Sequence, residues 1–339
     1  MHSRERILAA LHGQPVDRRP FVPVLSSYGA RLTNMPLSRY YREPALYAAG
    51  QQAVVETFGV DAVIAPLLFP CEGEAFGSEL RFYDNQPPNI RRMAGSSIDE
   101  FLAMKMPDPV SNPSYVYLLE SARLTVERCG KDALVGAILT TPLDLPSLVV
   151  GIEGWLDALM FRRELLPQVF DRLVPQFLAR ARLLKQAGID FYVISGGFDN
   201  STTVMRSLVE STILPVLKRC LGELELPALL HNGGGSLLAF ADLYGCLPQV
   251  AGIYLDGQEM AEARAGLPAS CALIGGFTEL SVQAGTPEQL YQQARALLQE
   301  RRDDARFVLA TIGPDVPLNT PAENILALRR AIRDEATEK

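Results

Sequence analysis

Short apolar segments alternate with longer amphipathic stretches along most of the chain, and this alternation limits the fold more than any other feature. Each apolar segment is short and uninterrupted, as expected for strands that helices cover on both faces. The eight segments are 19–25, 60–69, 133–139, 190–196, 227–233, 251–257, 271–277 and 307–313. Strands separated by helices form parallel sheets, and eight such units predict a (β/α)8 TIM barrel.

The amphipathic stretches carry helix end signals at both termini. Two of them end on a glycine directly before a strand, Gly59 and Gly188, where a C-cap is expected. Two others open on Thr-Pro, so Thr286 and Thr320 are predicted N-caps with proline at the first helical position. These signals support a helix after each strand.

The predicted domain organisation is one barrel over residues 1–339. A doubly wound open sheet is the alternative, but the first strand is not followed by the G-x-G-x-x-G sequence of dinucleotide-binding sheets. A proline-rich segment, 85–113, breaks the alternation and is predicted as an irregular excursion over the barrel surface.

Charge and cysteine content exclude several classes of function. The net charge of −7 and the absence of a Lys/Arg-rich run argue against a nucleic-acid partner. The N-terminus lacks a signal-peptide pattern, and no apolar stretch reaches membrane-spanning length without interruption. Five scattered cysteines form no CxxC pair, so reduced, mostly buried thiols in a cytoplasmic protein are expected.

In a barrel of this kind the active site lies where the strands end, and His231 occupies such a position. It closes an apolar run and precedes Asn232 and three glycines, which allow a sharp turn and a close approach to a ligand. Histidine there could act as a general acid or base or as a metal ligand. The alternative is a histidine hydrogen-bonded into the barrel rim, and the position favours function.

Two carboxylates, Glu72 and Glu74, follow the second predicted strand. If the segment is extended, both side chains point to one side, because strand side chains alternate. Such a pair could bind a cation or raise one pKa by like-charge repulsion, and both residues are predicted to be catalytic. Solvated loop carboxylates are the alternative.

The remaining strand ends supply candidate substrate-binding residues. Asp199 and Asp256 could hold a cationic ligand or cap the next helix, and Asp199 is well placed as a cap. Arg31 could pair with a substrate carboxylate or phosphate, or lie free on the surface. The predicted substrate-binding set is Tyr28, Arg31, Asp199, Asn200, Asn232 and Asp256.

Together these segments resemble the uroporphyrinogen decarboxylase superfamily. The resemblance spans nearly the whole chain and begins with "RILAALHGQPVDRRPFVPV", the opening helix and "D-R-x-P" entry to the first strand. It continues through "MPDP", "STTVMRSLVESTILP", "LLHNGGG", "LIGGFTELSVQAGTPEQL" and "PLNTPAENILALRRAI". The superfamily contains decarboxylases and corrinoid-linked methyltransferases, and it implies the same single barrel.

The decarboxylase signature of the superfamily is incomplete here. That branch carries "R-Q-A-G-R" after the first strand, where this chain has "SSYGARL", so that only Arg31 matches loosely. The aspartate that would hold pyrrole nitrogens falls near Leu68. A tetrapyrrole with many carboxylates needs several cations, so the resemblance does not favour uroporphyrinogen decarboxylation.

The methyltransferase signature fits better except at its zinc site. "EGEAFG" resembles the branch's "E-A-E-x-x-G", with Glu72, Glu74 and Gly77 in place. His231 matches the histidine of the zinc motif H-x-C, but Gly233 replaces its cysteine, and the loop "TIGPDVP" lacks the distant one. Zinc is therefore not expected. A nonstandard metal site of His231 with a carboxylate such as Glu72 or Glu210 is the alternative, and the metal-free version is favoured.

The resemblance thus implies an enzyme that moves a methyl group between a corrinoid and a small donor or acceptor, with the corrinoid as co-substrate, free or on a corrinoid protein. The first alternative is a decarboxylase in which Arg31 receives the carboxylate and His231 or Asp256 manages protons. The second is a non-catalytic barrel that binds a small molecule. A homodimer is one assembly that the sequence allows.

Overall fold

The computed structural model describes residues 1–338 and contains an eight-stranded parallel barrel. Every segment that the sequence predicted as a strand overlaps one, with bounds that differ by a few residues. The barrel strands are β1 (Phe21–Val22), β2 (Ala62–Ile64), β5 (Leu134–Thr140), β6 (Phe191–Ser195), β7 (Ala228–His231), β8 (Val250–Asp256), β9 (Ala272–Phe277) and β10 (Phe307–Thr311), and a separate hairpin contributes β3 (Glu79–Arg81) and β4 (Asn89–Arg92). The barrel prediction is confirmed.

The strand order is β1-β10-β9-β8-β7-β6-β5-β2, which brings β1 and β2 to the two open edges. Asp61 joins these edges, because its N–H donates to the Phe21 carbonyl at 2.8 Å and its Oδ2 accepts the Phe21 N–H at 2.8 Å. β1 is only two residues long, since Pro20 and Pro23 flank it and proline has no N–H for a ladder.

Helices surround the barrel and follow its strands. They are α1 (Ser3–Leu11), α2 (Tyr28–Leu32), α3 (Leu37–Tyr40), α4 (Pro44–Phe58), α5 (Pro70–Ala75), α6 (Ile98–Ala103), α7 (Pro113–Cys129), α8 (Ser147–Phe161), α9 (Leu166–Gln186), α10 (Arg206–Leu208), α11 (Leu214–Leu221), α12 (Ala241–Tyr244), α13 (Met260–Gly266), α14 (Glu279–Ala284), α15 (Pro287–Glu300) and α16 (Ala322–Thr337). A π-helical turn, Val209–Ile213, separates α10 from α11.

Most predicted helix ends are confirmed. Gly59 caps α4 in the left-handed conformation (φ 57°), and Gly188 follows α9 with φ 94°. The Thr286 side chain accepts the Gln289 N–H at the start of α15. The N-cap prediction for Thr320 is wrong: the helix starts one residue later, with Pro321 as its N-cap, and the buried Thr320 hydroxyl accepts no N–H within residues 1–338.

One end of the barrel is closed by apolar side chains. Alternate residues of the strands, among them Val22, Leu229 and Tyr254, point inward and form a continuous cluster. Ile7 and Leu11 of α1 pack into the same cluster. Because α1 covers the end where the strands begin, a ligand has access from the end where the strands stop.

The segment 85–113 is more regular than the sequence analysis predicted. β4 pairs antiparallel with β3, and α6 lies within the segment. Phe101 of α6 is fully buried and stacks on Phe76 with 5.7 Å between ring centroids. The expectation of an irregular excursion is therefore wrong over β4 and α6, because an aromatic anchor holds the segment to the barrel.

The prediction of unpaired, mostly buried cysteines is confirmed. All five cysteines are free, and four of them are buried, with Cys246 exposed. Within residues 1–338, every helix falls short of the length and apolar character that crossing a lipid bilayer requires.

Candidate active site

Polar side chains line the open end of the barrel because the inward-facing positions continue past the apolar layer. On β7, Leu229 faces the interior, so His231, two residues later, faces it as well. The same alternation turns Thr140, Ser195 and Asp256 inward at the ends of β5, β6 and β8. These residues define the barrel mouth.

His231 is a buried, neutral imidazole, and one of its two ring nitrogens accepts a hydrogen bond within the protein. Its ring is 5% exposed, and Nδ1 accepts the Gly233 N–H at 3.2 Å, which places the ring hydrogen on Nε2. Nε2 forms no hydrogen bond of normal geometry within residues 1–338. Burial lowers the pKa of His231 to about 4, and the Gly313 backbone opposes part of the shift. At neutral pH, His231 is therefore an uncharged donor.

Tyr254 supports the imidazole from the interior of the barrel. The two ring centroids are 4.9 Å apart, and the rings are tilted by 47°. The Tyr254 hydroxyl is buried and has no partner among the described residues. Packing against this ring fixes the orientation of His231.

The glycine after His231 locks two loops together. Gly233 has φ +59°, and a Cβ there would lie 2.1 Å from the Gly196 carbonyl oxygen. The Gly196 N–H donates to the His231 carbonyl at 3.1 Å. Position 233 therefore has no room for a side chain while the loop after β6 keeps its place.

Two buried carboxyl groups, Asp144 and Asp199, adjoin the loop after β6. Asp144 Oδ1 accepts the N–H groups of Gly197 at 2.9 Å and Phe198 at 3.0 Å, and its Oδ2 accepts the Thr141 hydroxyl at 3.3 Å. Asp199 Oδ1 is buried without a partner among residues 1–338. Burial raises the pKa of Asp144 to about 7, and burial together with the Asp144 charge raises the pKa of Asp199 well above its usual range.

The capping alternative for Asp199 is wrong. The next helix, α10, begins after Met205, six residues further on, and the Asp199 carbonyl accepts the Tyr244 hydroxyl at 2.5 Å. Asn200 makes the local turn, because its side-chain amide donates to the Gly196 carbonyl at 3.1 Å and its Oδ1 accepts the Thr202 N–H at 3.0 Å. Asn200, rather than the Asp199 carboxyl, therefore shapes the turn after β6.

Asn232 and Asp256, the other two predicted substrate-binding residues on this side of the mouth, differ in whether their side-chain oxygens are already hydrogen-bonded. Asn232 is 8% exposed, and its Oδ1 has no partner within residues 1–338. Asp256 is half-buried, and its carboxylate accepts the Gln258 N–H at 3.0 Å within a turn. Asn232 therefore has an unused polar atom at the mouth, whereas one Asp256 oxygen is engaged locally.

Glu72 and Glu74 would share a face only in an extended segment, and the structure does not place them in one. Both belong to α5, in which residues two apart point in different directions. Glu72 is buried and forms an ion pair with Arg180, while its Oε1 accepts the Thr140 hydroxyl at 2.9 Å. Glu74 accepts the Ser114 hydroxyl at 2.8 Å. The two carboxylates therefore do not form a pair.

Arg31 and Tyr28 lie on the opposite side, beside an open cleft of about 1120 Å³. Arg31 donates to the carbonyls of Leu318 at 3.0 Å and Thr320 at 2.6 Å, and its guanidinium lies 5.1 Å from the Tyr28 ring centroid. Tyr28 is fully buried and donates its hydroxyl to the Thr320 carbonyl at 2.7 Å. Arg31 thus faces the cleft, and Tyr28 lies behind it.

Asp315 also lines this cleft. Its Oδ2 accepts the Ser27 N–H at 2.7 Å, which ties the loop after β10 to the loop after β1, and Oδ1 has no partner among the described residues. Burial raises the pKa of Asp315 to about 7. This carboxyl lies in the loop that the superfamily resemblance assigns to a zinc-binding cysteine.

Sequence reasoning missed Asp144 and Arg180. Asp144 follows β5 by four residues in "TTPLDLP", so the strand-end rule would have reached it had the whole loop been considered. Arg180 lies within α9, far along the chain from Glu72, and nothing in the local pattern separates it from the other helix arginines. Only the packing of α9 on β5 brings it to Glu72.

The donor set does not fit the zinc site that the resemblance implies. His231 Nδ1 already accepts a hydrogen bond, position 233 has no space for a cysteine side chain, and residues 311–317 contain no cysteine. Within residues 1–338, no group of three or more His, Cys, Asp or Glu side chains is arranged to hold a metal ion. Glu210, the other candidate ligand, is exposed and paired with Arg206 at 3.0 Å. No catalytic step is assigned to zinc.

The protein therefore belongs to the class of (β/α)8 barrels, with a buried histidine and buried carboxyl groups near the end where its strands stop. The chain belongs to the uroporphyrinogen decarboxylase (URO-D) family, whose sequence profile matches residues 2–335.

Its similarity to individual members extends from end to end. The chain is 22% identical to the methylcobamide:CoM methyltransferase MtaA of Methanosarcina barkeri, over 98% of this chain and 97% of that protein. It is 23% identical to the methylcobamide:CoM methyltransferase MtbA of Methanosarcina mazei, over 95% of each chain. The solved structure of a methyltransferase from Methanosarcina mazei superimposes with a TM-score of 0.85 at 20% identity, covering 99% of both chains, which shows the shared fold.

Proposed function

We propose that this protein transfers a methyl group between a corrinoid and a small donor or acceptor at the barrel mouth. The observation that carries the proposal is the end-to-end similarity to methylcobamide:CoM methyltransferases, combined with a buried histidine at the mouth. The corrinoid is a co-substrate in this scheme, free or carried by a corrinoid protein. The open cleft beside the mouth offers room for a broad, flat molecule.

His231 would orient the small substrate inside the mouth. Its Nε2–H is an uncharged donor within reach of an inward-bound ligand, and Tyr254 and Gly233 hold the ring in place. Arg31, Asn232 and Asp256 would contribute further polar contacts around the rim. A fixed arrangement of donor and acceptor contributes much of the rate in such a transfer, because it removes the entropic cost of their encounter.

The chain's residues favour a partner substrate that needs no thiolate. Zinc-bound thiolate chemistry of the family kind requires cysteine ligands beside the histidine, and residues 229–235 and 311–317 contain none. A methylated or methoxylated donor suits the uncharged donors of the mouth better than a thiol acceptor does.

Decarboxylation is the less supported alternative. Arg31 is a cation at the cleft, but it already donates to two backbone carbonyls, and the decarboxylase aspartate position falls near Leu68, which is buried among apolar side chains. A porphyrinogen with several carboxylates would need more cations than this cleft offers.

The test is to incubate the protein with cob(I)alamin and a panel of methyl donors, and to follow the formation of methylcobalamin by its absorption spectrum. His231→Gln should reduce the rate by about 10²-fold or more if the imidazole orients or polarises the substrate. Glu288→Gln, on the exposed outer surface of α15, is the matched control. Turnover of uroporphyrinogen without any methyl transfer would instead support the decarboxylase, and binding without any turnover would support the non-catalytic barrel.

A further inference from the structure

A second cleft, of about 420 Å³, lies near the end of the barrel where the strands begin, away from the mouth. Four arginines line this basic cleft, and no carboxylate of residues 1–338 is among its lining residues. They are Arg18, which precedes β1, and Arg329, Arg330 and Arg333 of α16. The whole chain has a net charge of −7, so this concentration of cations runs against its composition.

The three arginines of α16 share one face of the helix. Residues 326, 329, 330 and 333 follow the i, i+3, i+4, i+7 spacing and line the cleft together. Arg329 and Arg333 are four residues apart, and like charges at this spacing destabilise a helix. All three arginines lie before the last turn of α16, and only in the last turn would the helix dipole favour a cation. The stability of α16 therefore does not explain their presence.

The arginines of α16 have little to neutralise them. Arg329 forms no hydrogen bond or ion pair with another of residues 1–338. Arg330 approaches Glu288 at 3.4 Å, and both side chains are exposed. Arg333 approaches its neighbour Asp334 at 3.2 Å and is itself exposed. Exposed pairs of this kind stabilise a protein only slightly, so an incoming anion can displace them.

Two of the four guanidinium groups are already held in position. Arg18 donates to both carboxylate oxygens of Asp61, at 2.7 and 3.0 Å. Asp61 also pairs with Arg6 at 2.6 Å, so that two cations share one carboxylate. Arg330 lies over the Tyr291 ring, 4.1 Å from its centroid. Guanidinium groups fixed in this way lose less side-chain freedom when a ligand binds.

We propose that the basic cleft binds a diphosphate group, free or carried by a small molecule. Arginine suits phosphate because its planar fork donates two N–H groups to neighbouring oxygens. Each phosphate has three strong acceptor oxygens, so arginines of two different elements can reach the same group, whereas a carboxylate offers only two oxygens.

The charge and the volume of the cleft favour two phosphates over one. A single phosphate carries about 1.5–2 negative charges near neutral pH, fewer than the four guanidinium groups can neutralise. Two linked phosphates match the cations more closely. A volume of about 420 Å³ also lies in the range of small-molecule pockets. The site is separate from His231 and does not depend on the proposed function.

The test is calorimetric titration of the intact protein with sodium pyrophosphate at fixed ionic strength. Wild type should bind it saturably. Arg329→Gln/Arg333→Gln should bind about 10²-fold more weakly, since each charge-assisted contact is worth about tenfold. Arg123→Gln/Arg219→Gln removes two charges from exposed ion pairs elsewhere on the surface and should match wild type. Equal weakening in both double variants would contradict the site, because it would show attraction by surface charge in general.

Titrations with ADP and with citrate define the ligand class. Tighter binding of ADP than of pyrophosphate would support the site and indicate a diphosphate carried by a nucleoside. Tighter binding of pyrophosphate would support the site and indicate the free group. Citrate that binds as tightly as pyrophosphate would contradict the assignment to phosphate.

Hydrogen–deuterium exchange of wild type locates the site without a substitution. Pyrophosphate should slow amide exchange in residues 16–24 and 326–336, on the two sides of the cleft. Slower exchange in residues 229–236 and 311–319 instead would place the anion at the mouth and overturn the proposal. Absence of saturable binding by both pyrophosphate and ADP would overturn it as well.

Discussion

Arg180 of α9 forms a two-pronged ion pair with Glu72 of α5, and both side chains are almost completely buried. The Arg180 guanidinium also lies 4.9 Å from the Tyr115 ring centroid. The pair therefore ties the loop after β2 to the helix that precedes β6. Glu72 is held as a structural anion in this arrangement, which leaves it poorly placed for proton transfer.

Removal of one partner should be costly. Glu72→Ala leaves a buried guanidinium uncompensated and should lower the free energy of unfolding by about 3–5 kcal/mol. The double variant Glu72→Met/Arg180→Met should recover part of that loss, since it buries no charge. Urea denaturation measures both.

The exposed ion pair between Glu79 and Arg92 is the comparison for the buried pair between Glu72 and Arg180. Glu79→Ala breaks the surface contact with Arg92 and should cost no more than about 1 kcal/mol. If Glu72→Ala were as mild as Glu79→Ala while abolishing activity, Glu72 would be catalytic, as the sequence suggested, rather than structural.

Much of the architecture could be predicted from the sequence because it depends on local patterns. Each of the eight apolar runs overlaps one barrel strand, and Gly59 and Thr286 signalled helix ends through their own backbone and side-chain chemistry. Glu72 and Glu74 were misassigned, since an apolar run followed by a short helix looks like a longer strand until Pro70 is taken as a helix start. The partner of Glu72 depends on packing between distant segments, which no local pattern contains.

His231 should make stability fall on acidification. Its pKa is about 4 in the folded protein and near 6.5 when unfolded, so the unfolded state binds the extra proton between these values. The contribution is fully present above pH 6.5 and is lost as pH falls toward 4, by up to about 3 kcal/mol. The free energy of unfolding of wild type minus that of His231→Asn should decrease as the pH is lowered from 6.5 to 4. A flat difference would show that His231 is solvated.

Asp315 should make stability fall as the pH rises, which is the opposite of the effect expected for His231. Burial raises its pKa to about 7 from the ordinary 3.8, so the folded state binds more protons between these values. Wild type should therefore lose stability relative to Asp315→Asn as pH rises from 4 to 7, by up to about 4 kcal/mol. Asparagine can still accept the Ser27 N–H, so the variant isolates the charge. Chemical denaturation across this pH range measures the difference, and a rising one would contradict the burial argument.

Substitutions at the adjacent glycines Gly233 and Gly234 distinguish the cost of a steric clash from the cost of a positive φ. Both have positive φ, at +59° and +93°, but a Cβ at Gly234 meets nothing within 4 Å. Gly234→Ala should cost about 1–2 kcal/mol for backbone strain alone. Gly233→Ala should cost about 1–3 kcal/mol more, because its methyl group collides with the Gly196 carbonyl. Equal costs in thermal or urea unfolding would show that the loop after β6 can move, and a cysteine at position 233 would then be tolerated.

Zinc content is the last prediction, and it follows from the donors around His231. Zinc takes about four ligands at roughly 2.0–2.3 Å, and thiolates supply much of its affinity. Here Nδ1 of His231 is occupied by the Gly233 N–H, and Asp315 and Glu72 are engaged with Ser27 and Arg180. A one-histidine site completed by carboxylates would bind weakly and select poorly among metals. The protein, purified and dialysed without chelator, should carry well under one equivalent of zinc by elemental analysis. A stoichiometric zinc content that His231→Ala abolishes would contradict this and would require the loops after β6 and β7 to rearrange around the metal.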